Sequence, residues 1–328
     1  MSLPGGGRTG FFLHPSAALH DPGWGHPEHQ GRLRALASLV GQDLLALHGK
    51  VEQVQSRPAT EEELERVHTR AHLGRVKAAC RRAEQEGQVE VGPETSVSAA
   101  SWEAILGSSG AVLEAAERVG DGRIENAFVA ARPPGHHAFR DRAMGFCPVN
   151  HVAVGVRHLQ ALKIADRVAV VDWDVHHGNG TQEIFYEDPS VFYFSIHQAP
   201  HFPGTGGADE RGKGQGKGTT LNVPLPAGTG GDRYLEAFRE GIAKVDARFS
   251  PDFIFVSAGY DGLAADPLGG FLLESRHFRV LTELIVGWAE RTCEGRVVAV
   301  LEGGYEPKPT GEAVVATLRA LAGVGVPG

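Results

Sequence analysis

Residues 168–180 read VAVVDWDVHHGNG: four apolar residues, then an abrupt change to acids, histidines and glycines. The apolar run Val168–Val171 predicts a short buried strand, and the glycines at 178 and 180 predict that the chain turns soon afterwards. A strand of this kind delivers polar side chains to its own carboxyl end. Asp172, Asp174 and His176 stand two residues apart, so a backbone that stays extended puts all three on one face. A carboxylate beside an imidazole suits a borderline cation such as zinc. Taken alone, Asp-x-His is more simply a capping loop with surface histidines, and the rest of the chain has to decide between the two.

Working outward, further β-rich runs lie at 126–130, 191–196, 220–223, 253–257 and 297–301. Helical stretches separate several of them, near 150–163, 231–248 and 274–292, and a last one is expected at 311–321. Strands alternating with helices require crossover connections, hence a mainly parallel sheet covered on both faces. Upstream, Leu33, Leu36, Val40, Leu44 and Leu47 recur at helical spacing between Gln30 and Leu47. Thr60 and Glu63 form a capping box that should open another helix, and Ser98–Arg118 reads as a third. Residues 1–29, rich in Gly, Pro and His, read as an exposed loop. No repeat or low-complexity break divides the chain, so one domain over 1–328 is expected, of α/β class with three layers, its chemical motifs falling within 130–306.

With 41% hydrophobic residues the chain can bury a core, and 44 glycines with 19 prolines favour shaped loops over a helical bundle. A net charge of -8 without a basic run argues against nucleic-acid binding. Cys80, Cys147 and Cys293 are odd in number and far apart, which indicates neither a disulfide framework nor a thiolate zinc finger. The opening MSLPGGGRTGFFLHP has too short an apolar run for a signal peptide, and no stretch reaches the ~20 apolar residues of a membrane span. A soluble protein of the cytoplasm is the expectation.

Ligands of an open parallel sheet bind beyond the carboxyl ends of its strands, and there the titratable residues collect. His136 and His137 follow the 126–130 strand, Asp261 and Asp266 follow 253–257, and Tyr305 follows 297–301. Asp174, His176 and one aspartate of the 261 region would leave a fourth position of a zinc ion open for water, the arrangement of a catalytic site. Such an ion polarises an amide carbonyl and acidifies its water, while adjacent histidines can supply base and acid and a tyrosine can donate to the oxyanion. Asp172 and Asn179 are placed to orient the histidines from behind. Asp266, before Pro267, reads as a loop-structuring carboxylate. By contrast, Gly207–Lys213 imitates a phosphate loop but lacks the Ser or Thr and the following helix, so 204–220 reads as a mobile surface loop. His68 and His72, four apart, lack the glutamate of a metalloprotease motif and read as structural, and His14, His20, His26, His29, His158 and His201 show no chemical role.

The motifs RPPGHHA (132–138), GFCPVN (145–150), VDWDVHHGNG (171–180), FPGTG (202–206), AGYD (258–261), DPLGG (266–270) and LEGGY (301–305) occur in this order. Together they resemble the zinc-dependent histone deacetylase family, especially its class II members and their bacterial homologues, from His26 to Tyr305. The resemblance implies the arginase/deacetylase fold and a narrow tunnel to one zinc ion. It places zinc ligands at Asp174, His176 and Asp261, tandem catalytic histidines at His136 and His137, and the transition-state tyrosine at Tyr305. It also implies tunnel walls at Gly145, Phe146, Phe202 and Leu268, whose two aromatic faces would sandwich the methylenes of an acyl-lysine. A monovalent cation, K+ or Na+, is implied at Asp172, Asp174, His176, Ser195 and Ile196, partly through backbone carbonyls, and Arg32 is implied behind the metal.

Three departures carry information. Asn179 stands where many class I relatives have aspartate, which should let His137 titrate lower. Tyr305 is retained, unlike the histidine of the poorly active vertebrate class IIa branch. Leu268 replaces the glutamate of the polyamine-selective branch, which makes an acetylpolyamine less expected than an acyl-lysine peptide or protein. A binuclear manganese ureohydrolase of the same fold would need carboxylates where Gly178 and Gly259 stand. A non-catalytic acyl-lysine binding module would tolerate loss of Tyr305 or a histidine, and none is lost. Nothing in the sequence fixes the oligomeric state, and a homo-oligomer stays open.

Overall fold

The computed structural model describes residues 8–43 and 46–325. In chain order the elements are β1 (Thr9–Phe12), α1 (Gly31–Asp43), β2 (Val51–Val54), α2 (Glu61–Leu64), α3 (Arg70–Glu86), β3 (Val89–Gly92), β4 (Thr95–Val97), α4 (Ser101–Gly120) and β5 (Asn126–Val129). There follow α5 (His151–Ala161), β6 (Val168–Asp172), α6 (Asn179–Phe185), β7 (Val191–Gln198), β8 (Thr220–Leu225), α7 (Gly231–Asp246), β9 (Phe253–Ala258), α8 (Ser275–Thr292), β10 (Val297–Leu301) and α9 (Pro307–Leu321).

Eight strands form one sheet in the order β2-β1-β5-β10-β9-β6-β7-β8, every neighbouring pair parallel. The apolar run of β6 shows why helices cover both faces. Val168 and Val170 join a core with α3, α4 and α5, whereas Ala169 and Val171 join a core with α1, α7, α8 and α9. All five β6 residues are buried, so a strand with period-two side chains reads as a continuous apolar run. Each fully buried Phe or Val of these cores contributes about 1.5–3 kcal/mol. The consequence for chemistry lies in the strand order. The strands β5, β10, β9 and β6 are consecutive in the sheet, so the four loops that carry titratable residues emerge side by side at one edge.

Several expectations need correction. Residues 9–12 are a buried strand, TGFF, rather than loop, and VEQV at 51–54 pairs with it at the sheet's end. Four residues give no periodicity to read, and their pairing with β5 is supplied by residues 117 positions away. The Thr60 capping box exists, but its helix lasts one turn; the long helix starts at Arg70 under a separate cap, the Thr69 hydroxyl accepting the His72 N–H. The hairpin β3–β4 and the short α6 were not expected at all. The first helix stops at Asp43; Leu44, like residues 1–7, lies outside the described residues, and Leu47 is buried in the turn that follows. The 204–220 loop is tied down: Glu210 accepts the Gly206 and Gly207 N–H groups at 3.0 Å, and Lys213 N–H reaches the Tyr186 carbonyl at 2.8 Å. Among the described residues, no helix is long and apolar enough to cross a membrane.

Candidate metal centre and active site

After Asp172 the chain leaves the extended path, because the Asp172 Oδ1 accepts the Asp174 N–H at 3.2 Å and bends the backbone. The three residues expected on one face therefore separate. Asp174 and His176 converge with Asp261, from the loop after β9, while Asp172 turns toward the histidines. His176 Nδ1 lies 3.0 Å from both Asp174 Oδ1 and Asp261 Oδ2, and one donor atom from each of the three residues falls within 4.8 Å of the others. The carboxylates are aimed by backbone donors: Gly303 N–H to Asp174 Oδ2 at 2.8 Å and Val175 N–H to Asp261 Oδ1 at 2.8 Å.

Burial opposes a charged His176, yet the two carboxylates outweigh it and push its pKa up to about 10. Burial and the neighbouring Asp174 raise Asp261, whereas Asp174, despite burial, is held low by His136 and His176. Two buried acids gathered on one imidazole are a poor structural ion pair and a good cation trap. One nitrogen and two oxygen donors, with room left for a fourth ligand, fit a zinc ion. Among the described residues, no second group of three His, Cys, Asp or Glu donors converges. A Cβ at Gly178 would meet Asp172 Oδ2 at 2.2 Å, and one at Gly259 would meet Asp174 Oδ2 at 2.0 Å, so neither position admits the bridging carboxylate of a binuclear site.

The tandem histidines are set up differently from each other. His136 Nδ1 donates to Asp172 Oδ2 at 3.1 Å, a carboxylate that also accepts the Tyr193 hydroxyl at 2.9 Å, and its Nε2 lies 3.8 Å from Asp174 Oδ1. Burial lowers the proton affinity of His136, but Asp174 and Asp172 reverse this and push it up to about 10. His137 Nδ1 faces Asn179 Oδ1 at 2.8 Å, with the amide nitrogen turned to Met144 Sδ at 3.4 Å. Its pKa falls well below the ordinary value, first through burial and then through the charge of His136; the Asn179 bond acts the other way. One imidazole is thus disposed to hold a proton and its neighbour to be empty, with Nε2 free to take one.

A cavity of about 340 Å³ opens over this cluster, lined by His137, His176, Gly145, Phe146, Phe202, Leu268 and Tyr305 together with Glu94 and His201. All four residues expected as tunnel wall are present. Gly145 stands at φ 55°, and a Cβ there would press on the His137 ring at 2.6 Å. The Phe202 ring meets His137 edge-on at 5.2 Å, and Phe146 meets Tyr305 at 5.8 Å. Tyr305 is 7% exposed; its N–H donates to Asp266 Oδ2 at 2.6 Å, which gives that carboxylate its structural task. Burial pushes the phenol well above its ordinary range, so it is a neutral donor.

Sequence reading gave six contributors no part in the site: Glu94, His201, His26, Glu28, Arg132 and Glu302. Glu94 sits at the turn of β3–β4, an element the pattern did not reveal, and joins the cavity lining as an exposed acidic residue, opposite in character to Leu268. His201 stacks on His176 at 4.9 Å and donates to the Leu268 carbonyl at 2.9 Å; His26 packs edge-on against Phe146 at 4.5 Å. The buried Glu28 pairs with both Arg32 and Arg132, at 2.9 and 2.6 Å, and Arg32 in turn donates to the Glu302 and Gly304 carbonyls and lies 4.8 Å from the Tyr305 ring. Glu302 itself lies beneath the histidines. Among these, the charges of Arg132 and Glu302, each at the end of an apolar run, offered a signal. His68 and His72 are buried and bonded to the backbone at Asn150 and Pro148, as structural residues are.

The histone deacetylase domain family matches residues 26–321. The histone deacetylase-like amidohydrolase of Pseudomonas aeruginosa is 38% identical over 325 residues, spanning 99% of this chain and 82% of the relative. Histone deacetylase 10, chloroplastic, of Oryza sativa subsp. japonica is 38% identical over 310 residues, spanning 91% and 70%. Among solved structures, the crystal structure of the HDA15 HD domain superposes with a TM-score of 0.90 at 34% identity, covering 97% of this chain and 89% of that one.

Proposed function

The chain belongs to the histone deacetylase family, whose members include amidohydrolases, and from that premise we propose that it is a zinc-dependent hydrolase removing acetyl or longer acyl groups from the ε-amine of lysine in peptides or proteins. The observation that carries the proposal is the convergence of Asp174, His176 and Asp261 on one point beneath a cavity that also exposes His137 and Tyr305. Zinc held by those three residues supplies Lewis-acid polarisation of the amide carbonyl and of the attacking water.

The chain's own groups do the rest. Phe146 and Phe202 receive the apolar methylenes and keep bulk water away. His137, neutral and fixed by Asn179 with Nε2 free, takes the water's proton and returns it to the leaving amine. His136 keeps its proton against Asp172 and offsets the buried acids. The neutral Tyr305 hydroxyl donates to the oxyanion that develops on the acyl carbon. We extend the proposal to K+ or Na+ near Asp172, Asp174, His176, Ser195 and Ile196. In its favour, the β6–β7 register pairs Asp172 with Ser195 and both are buried. A reducing compartment such as the cytoplasm suits three free cysteines.

A second reading has one observation in its favour. Leu268 removes the charge that would recognise a polyamine, but Glu94 returns a carboxylate to the same cavity. An acetylated polyamine is therefore the competing substrate class. The deciding experiment loads the protein with zinc and compares kcat/KM for a panel of acyl-lysine peptides and acetylated polyamines. One zinc per chain with carboxylate release supports the proposal. Full zinc loading without turnover of any acyl amine, or urea release with two manganese ions, refutes it.

A further inference from the structure

Glu302 closes β10 into the active site, yet nothing in the chemistry above uses it. It is 1% exposed and its carboxylate has no cationic partner within salt-bridge distance among the described residues. Its three partners are all donors: Oε2 accepts the Gly135 N–H at 2.6 Å and the His136 N–H at 3.1 Å, and Oε1 accepts the Ser257 hydroxyl at 3.2 Å. An unpaired buried carboxylate is costly, and burial duly raises Glu302 to about 7, which argues that something is gained by keeping it. Its backbone is fixed at the same time. The Glu302 N–H donates to Ala258 of β9 at 3.1 Å, and its carbonyl accepts Arg32 at 2.6 Å.

The position explains the use. β10 lies between β5 and β9 in the sheet, and the residues three beyond Glu302 and just beyond β5 are Tyr305 and the tandem histidines. Beyond β5 the Ala130 N–H still reaches the Phe12 carbonyl of β1 at 2.8 Å, but residues 131–138 lie in no strand. We propose that Glu302 is a positioning residue, a carboxylate bracket that clamps the Gly135–His136 backbone to β10 and so holds the proton-handling imidazoles in register with the Tyr305 hydroxyl. The bracket acts through His136 and His137 and does not touch substrate. Gly303 then continues the same turn and delivers its N–H to Asp174, so one four-residue stretch aligns base, metal ligand and oxyanion donor.

The inference rests on the hydrolase reading for its kinetic consequence, and the experiment separates the two. In Glu302→Ala the two backbone N–H groups lose their acceptor. Misplacement of a catalytic group by about 1 Å costs on the order of 100-fold, so kcat should fall about 30- to 100-fold in zinc-loaded protein, with KM within about 3-fold because Phe146 and Phe202, which receive the methylenes, are untouched. Glu302→Gln retains an oxygen that can accept both N–H groups and should recover kcat to within about 5-fold, whereas Glu302→Asp, charged but one methylene shorter, should not. Hydrogen–deuterium exchange read by mass spectrometry on the peptide spanning residues 131–138 should quicken in the alanine variant and return toward wild type in the glutamine variant. The inference is overturned if the alanine variant, folded and zinc-loaded, keeps kcat within about 3-fold of wild type, or if exchange in that peptide is unchanged. It is overturned equally if glutamine is as damaging as alanine, since charge and not geometry would then be the cause. Should Glu302→Ala fail to fold, the opposite behaviour of the glutamine and aspartate variants decides. If the wild-type protein turns over no acyl amine, the hydrolase reading fails, while the exchange data still report whether the bracket holds the loop.

Discussion

Removing the Tyr305 hydroxyl is the sharpest test of the proposed chemistry, because the structure isolates that one atom. The ring of Tyr305 is held by the edge of Phe146 at 5.8 Å and by the Arg32 guanidinium at 4.8 Å, and its backbone by Asp266 at 2.6 Å. None of these contacts uses the hydroxyl, so Tyr305→Phe should leave the fold unchanged to within about 0.5 kcal/mol. The phenol stays protonated throughout the assay range, since burial raises it, and at 7% exposure water has little access to replace it. A single donor lost from such an oxyanion site costs about 10²–10³ in rate, or roughly 2.7–4 kcal/mol. Stopped assays of acetyl-lysine peptide hydrolysis should therefore show kcat down by about 10²–10³ with KM nearly constant and zinc still at about one equivalent. If kcat stays within about 10-fold of wild type with the metal in place, Tyr305 is not the oxyanion donor and the assignment of the cavity has to be rebuilt.

Other perturbations separate the remaining parts of the site. Asp261→Asn removes one of two anionic ligands, and after dialysis the protein should retain less than about 0.1 equivalents of zinc by elemental analysis. Gly259→Ala places a methyl 2.0 Å from Asp174 Oδ2, so it should abolish turnover and lower stability by about 1–3 kcal/mol in denaturant titration; a stable, active variant would contradict the packing. Glu94→Gln should lower kcat/KM for a cationic acetylpolyamine by roughly five-fold, the effect of one charge pair in a water-rich setting, while a neutral acetyl-lysine peptide changes far less. Acid should destabilise the fold through buried neutral histidines. Burial lowers His68 to about 3 and His151 to about 4, so both are neutral in the folded and unfolded chain above pH 6.5. Below that the unfolded chain alone takes up their protons, and each costs roughly 1.4 kcal/mol per pH unit until its folded pKa is reached. Chemical denaturation of wild type against His68→Gln between pH 7 and 4.5 should show the variant losing less stability with falling pH; parallel curves would refute this.

How far the sequence could be read depended on whether a residue's partner was near in the chain. The strands β6, β9 and β10 are buried on both faces, so their apolar runs announced them, and the polar residue that ends each run is placed by the strand itself. Asp174, His176, Asp261 and Tyr305 were legible because each follows such a run within a few residues, although the turn after Asp172, and not the strand, sets where the first two lie. By contrast, β1 and β2 are four residues each: β1 pairs with β5 more than a hundred positions later, and β2 pairs with β1 in turn, which no local pattern encodes. The depressed titration of His137 was expected from an amide standing where relatives have aspartate; burial comes first among its causes, then the charges of His136 and His176, and the Asn179 hydrogen bond acts the other way.

The same distinction explains the charge at the cavity mouth. Reading position 268 alone gives an apolar wall and argues against cationic substrates. The wall's electrostatics, however, are the sum over segments that meet only in the fold, and Glu94, at φ 54°, arrives on a hairpin whose Gly92-Pro93 pair marks a turn but not which cavity the turn will line. Hydrogen bonds of 3.0 and 3.2 Å from the Gly145 and Phe146 N–H groups to the Pro93 and Glu94 carbonyls join that hairpin to the tunnel wall. A substrate preference inferred from one wall residue therefore has to be set against the carboxylate that the neighbouring segment brings, and the measurable quantity is the ratio of kcat/KM between cationic and neutral acyl amines.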